Sequence, residues 1–158
     1  MMKLSKPAAA LVAVVTVGFL IAILGLVGWT AARADEPVGR VGHILEETKN
    51  KGLHGTALSP ADVYGEEWTA AAFVCPGVSG DELREAFGLN PDDLDLVDGK
   101  VPEDTNYLVA LDEDLNSFPE KLDRSEVDLC SQQVPPVING FSLLPFMQNQ
   151  DGTWVLAS

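Results

Sequence analysis

The chain has 158 residues, the size of one domain, and carries 24 acids against 10 lysines and arginines, a formal net charge of −14. Residues 1–34 hold three bases and no acid, whereas residues 35–158 hold 7 bases against 24 acids, or −17. This balance excludes nucleic acid as a partner, because phosphate binding needs clustered Lys and Arg, and it disfavours docking of the acidic part on anionic lipid.

Lys3 and Lys6 precede an uncharged run, and its strongly apolar part, Ala8–Trp29, is 22 residues long. As a helix it would measure about 33 Å, enough for a bilayer core of about 30 Å. The segment is therefore expected to meet the membrane through residues 8–29, as a single pass with its N-terminus inside, since the basic flank is the stronger one before the run. Ala32-Arg33-Ala34 also fits an A-x-A cleavage pattern. The apolar run exceeds the roughly 7–15 residues of a secretory core, so retention is the leading expectation and cleavage following Ala34 the alternative.

Residues 35–59 contain Pro37, Gly39, Gly42, Gly52 and Gly55 and read as a flexible or partly helical stalk, in which Ile44, Leu45 and Thr48 could form one short helical stripe ended by Asn50-Lys51-Gly52. The apolar run Trp68–Cys75, closed by Pro76-Gly77, reads as a buried strand. Ser79 with Glu82 three residues on is a capping-box pair, Leu83, Ala86 and Phe87 form a stripe, and Gly88 suits a left-handed stop; a helix over 80–87 follows. Leu94 and Leu96 alternate with Asp93 and Asp95, as in a strand with one wet face, and Asp98-Gly99 signals a turn. Tyr107–Leu111 reads as a second buried strand, and Val127 and Leu129 as a third, half-buried one ending at Cys130. Phe141–Met147 and Thr153–Ala157 flank Asn149-Gln150-Asp151-Gly152, a hairpin in which Pro145, lacking an N–H, is expected at an edge or bulge.

Cys75 and Cys130 are the only cysteines. An even pair in an exported domain predicts a disulfide. Closing that loop would add about 4 kcal/mol in the chain-entropy model. Zinc and dithiol chemistry have no support, since there is no C-x-x-C and both histidines, His43 and His54, lie in the stalk segment.

Between Asp92 and Asp114 stand nine acids and one base, Lys100. An EF-hand register fails, because the position five places into a loop starting at Asp93 is Val97 and the glycine falls one place late. Residues 60–158 contain no histidine, and no nucleophile elbow, zinc helix or phosphate loop is present. No catalytic residue, metal or cofactor is expected. The candidate contact surface is instead the acidic one around Asp93, Asp95, Asp112 and Asp114, whose field suits a basic partner.

The expected fold class is α+β. A single transmembrane or signal helix (1–34) leads through a stalk (35–59) to a small acidic exported domain (60–158) with a mostly antiparallel sheet and one short helix. The expected function is that of a membrane-tethered extracytoplasmic interaction or accessory-subunit domain without catalytic activity, in contact with a basic or membrane-embedded protein. Alternatives are a cleaved, secreted, disulfide-closed binding protein and a small carboxylate-dependent or Ca-binding enzyme.

Overall fold

Residues 40–133 and 135–157 are described by the computed structural model and belong to one unit, Val38–Ser158. In chain order they form α1 (Arg40–Asn50), β1 (Gly55–Leu58), α2 (Pro60–Tyr64), β2 (Ala70–Val74), α3 (Gly80–Phe87), a 3-10 turn (Pro91–Asp93), β3 (Thr105–Leu111), β4 (Ser117–Asp123), β5 (Val127–Asp128), β6 (Val137–Asn139), β7 (Leu144–Gln148) and β8 (Trp154–Leu156). The strands make two four-stranded sheets, ordered β1-β7-β8-β5 and β4-β3-β2-β6. All pairings are antiparallel except β5 with β8, which is parallel. The observed class is thus α+β with mixed sheets and a few short helices, which corrects the expectation of a mostly antiparallel sheet with one helix.

The second sheet is covered on both faces. Ala71, Phe73, Leu108, Ala110 and Leu122 share a core with Phe146, Trp154 and Leu156 of the first sheet and with Val41 and Leu45 of α1. On the opposite face Ala72, Val74, Tyr107, Val109 and Leu111 pack against Leu83 of α3, Leu89 and Leu94. Central strands buried on both sides need apolar residues without alternation, which is why β2 and β3 are continuous apolar runs. Asn106 lies in this core with all its polar atoms used. Its Nδ2 donates to the carbonyls of Leu122 and Val127, and its Oδ1 accepts from Leu129 N at 2.8 Å, stitching β3 to the first sheet's edge.

Helix α3 has the capping box expected of Ser79 and Glu82, and Gly88 ends it at φ 67°. Asp98-Gly99 is a tight turn with both residues at positive φ, closed by reciprocal Val97–Lys100 bonds. The expected strand over Leu94 and Leu96 is instead the 3-10 turn and irregular chain; both leucines still pack inward. Pro145 does not lie at an edge: β7 is flanked by β1 and β8. Its carbonyl accepts from Ala157 N, one residue past the end of β8, so its missing N–H falls where the ladder stops.

The segment read as a stalk is part of the fold. Helix α1 buries Val41, Leu45 and Thr48, and β1 is a strand of the first sheet. The acceptor at the N-terminus of α1 comes from far along the chain: the buried Glu120 carboxylate on β4 accepts from Val41 N at 2.9 Å, from Gly42 N and from the Tyr64 hydroxyl. Burial pushes the Glu120 carboxyl above the usual carboxylate range.

Among the described residues no helix is long and apolar enough to cross a membrane. The longest, α1, has 11 residues and one apolar side. The apolar run 8–29 and the Ala32–Ala34 pattern lie outside the described residues. On this finding the transmembrane element of the fold class, the single-pass localisation and the membrane as partner are set aside, and nothing among the described residues identifies a membrane-embedded or basic protein as partner. A disulfide-closed domain stands in their place: Cys75 and Cys130 are bonded, with Cα atoms 5.8 Å apart. Cys75 follows β2 and Cys130 lies two residues beyond β5, so the bond ties the two sheets together.

Candidate functional site

The four acids singled out in the sequence do not converge. Asp95 accepts from Lys121 Nζ at 3.1 Å, and this contact raises the lysine pKa. Asp112 is committed to the β3–β4 turn, where its carboxylate accepts from Asn116 Nδ2 at 2.7 Å, Asn116 N at 2.8 Å and Asp114 N at 3.0 Å. The Asn116 side chain chiefly holds the Asp112 carboxyl below the usual carboxylate range. Asp93 and Asp114 are exposed, Asp93 within 3.5 Å of Ser117 Oγ at the same turn. Asp95 and Asp112 are therefore spent on close internal contacts, and Asp93 makes longer ones to Asn90 and Ser117. Among the described residues no three His, Cys, Asp or Glu side chains are grouped to hold a metal ion.

A polar cleft of about 420 Å³ runs between α1 and the turns after β4 and β7, lined by His43, Glu46, Asp123, Glu126 and Asp151. Its carboxylates also serve their own turns: Asp123 accepts from Ser125 N and Oγ, and Asp151 from Thr153 N. Hydrogen bonds from those partners hold both below the usual range.

The feature that no internal contact accounts for is the outer face of the first sheet. Strand β7 turns Leu144 and Phe146 into the core and Pro145 and Met147 outward. Extending the alternation, Leu143 is 67% exposed, Met147 55% and Phe141, four residues before Pro145, 55%. On the same face the register places Gly55 beside Met147 and Ala57 beside Pro145, with Val155 on the other flank of Met147. The strands β1, β7 and β8 contain no charged residue, and none occurs from Leu129 to Gln150. The one acid facing outward in this sheet, Asp128 on β5, is bonded to Arg124 at 2.9 Å. His54 stands at the rim, with Nδ1 2.8 Å from Gln148 Oε1.

The chain leading into this face is rigid. Gly140 N donates to Thr69 O at 2.7 Å, Ala61 N donates to Gly140 O, and Asn139 Oδ1 accepts from Phe141 N. A Cβ at Gly140 would lie 2.1 Å from Trp68 O, so only glycine permits this approach. Comparison with family models, curated proteins and solved structures finds no match. The site therefore rests on its own geometry.

Charge points first to the acidic surface, and the Phe141–Phe146 strand comes second to it as a contact candidate. Two signals were available: the absence of charge from Leu129 to Gln150 in a chain that is 22% charged, and the two-sided apolarity of Phe141–Met147. A strand apolar on both sides is expected to be covered on both sides.

Proposed function

We propose that this is an exported, disulfide-closed binding domain that engages its partner through the uncharged outer face of the first sheet. The observation that carries the reading is β7 itself, apolar on both faces with one of them uncovered. Contiguous exposed apolar surface marks interaction sites in stable domains, and a rigid entry loop lowers the entropy cost of binding. The Cys75–Cys130 bond supports export, since such bonds persist in oxidising compartments. The domain works by contact rather than turnover. The surface acids, Asp93 and Asp114 among them, solvate it and repel acidic competitors.

The test is site-specific photo-crosslinking in the native host. A photoactivatable residue at Met147 is expected to yield adducts, and one at Asp114 none. Adducts from position 114 with none from 147 would overturn the reading.

A further inference from the structure

The geometry points to a second copy of this chain as the occupant of the outer sheet face. This rests on the reading of that face as a binding surface and adds the identity of what binds.

Charge is the first argument. Residues 40–157 hold 22 acids and 7 bases, so two copies repel each other over most approaches. The face formed by β1, β7 and β8 is where neither copy brings a charge. A strongly basic partner gains nothing there and would be drawn to the acidic remainder of the surface. Shape is the second argument. Leu143, Pro145 and Met147 form a ridge along β7, and the neighbouring strand β1 offers Gly55 and Ala57, a trough of small residues. Among the described residues Gly55 is open on this side: a Cβ built on it meets only the Phe146 carbonyl, at 3.6 Å. A face with a ridge beside a trough is self-complementary about a two-fold axis, the ridge of each copy lying in the trough of the other. That is an isologous contact.

The area fixes the strength. Three strands at about 4.8 Å spacing and five residues at about 3.4 Å rise cover roughly 14 by 17 Å. Even with the loop of Phe141 added, the patch stays below the roughly 800 Å² per partner of a standard interface. The dimer is accordingly weak and opposed by long-range repulsion, so salt strengthens it. Docking of opposite charges would respond to salt in the reverse sense.

Sedimentation equilibrium on the Val38–Ser158 unit, whose core and disulfide are complete within it, tests the proposal from about 10 μM to about 1 mM protein. The expected result is a monomer–dimer equilibrium that shifts toward dimer at about 1 M salt, where the Debye length is about 3 Å. Met147→Glu and Ala57→Glu are each expected to weaken it by more than about tenfold, by setting like charges against an apolar ridge. Both positions are exposed, and if one variant fails to fold the other decides. Monomer at every concentration and salt, or a dimer that survives both substitutions, overturns the inference. Photo-crosslinking at Met147 separates the two levels. Adducts of twice the chain mass support the second copy. Adducts with a different protein from a chain that stays monomeric refute it and leave the binding face standing. No adducts refute both.

Discussion

Glu120 shows how one side chain can hold two elements. Its carboxylate accepts from two N-terminal amides of α1 and from the Tyr64 hydroxyl, the bonds from Val41 N and Tyr64 buried and the one from Gly42 N partly so. Glu120→Ala leaves those donors without an acceptor and is expected to cost roughly 3 kcal/mol in urea denaturation. Glu120→Gln keeps an acceptor oxygen and should cost less. The pH dependence has a defined sign. The folded pKa of Glu120 lies above its unfolded value, so its contribution is fully present below the usual carboxylate range and is lost as pH rises through the raised value. Asp112, Asp123 and Asp151 have lowered values and act in reverse, adding stability above the usual range that is lost as pH falls. Glu120→Gln should therefore remove the decline on the neutral side and leave the acid limb intact, as read by denaturation midpoints across pH.

At the scale of elements, legibility followed the range of the contacts. Helix α3 was readable because all its determinants are local: Ser79 and Glu82 cap it, Leu83 faces the core and Gly88 stops it. Ser79→Ala is expected to cost about 1 kcal/mol by thermal melting. Helix α1 was legible only in part: the stripe of Leu45 and Thr48 and the stop at Asn50-Lys51-Gly52 are local, whereas the acceptor at its N-terminus lies on β4 and nothing nearby in the sequence announces it. Leu94 and Leu96 were read correctly as inward-facing, but alternation over so short a stretch does not distinguish a strand from a 3-10 turn. The hairpin around Asn149–Gly152 formed as expected, whereas the covering that let Pro145 sit inside a sheet depended on where β8 ends. The loop before β7 depends on backbone proximity. Gly140→Ala would drive a methyl into the Trp68 carbonyl, and a loss of about 3 kcal/mol or more is expected, measured by denaturation.

Across the whole molecule, the disulfide is the constraint that spans both sheets. The even cysteine pair predicts the bond, but that it joins the two sheets follows only from the topology. Replacing both cysteines with Ser is expected to cost about 4 kcal/mol by the chain-entropy estimate, lowering the denaturation midpoint of the unreduced protein to that of the reduced one. The candidate site was the least legible part. Charge was conspicuous in the sequence and drew attention to Asp93, Asp95, Asp112 and Asp114, yet Asp95 and Asp112 serve internal contacts. The outer face of the first sheet emerges only when segments from both ends of the domain, β1 and β7–β8, are brought together.

The distant acceptor at the start of α1 has a consequence for the order in which the chain is made. Synthesis delivers Arg40–Asn50 well before Glu120, a lag of roughly 4 to 16 s at about 5–20 residues per second. During that time the helix has neither its acceptor nor Phe146 and Trp154, with which Val41 and Leu45 share a core. Strand β8, made later than Glu120, sits between β7 and β5 in the first sheet. Helix α1, the first of the described helices, is thus secured only after β4 has been made.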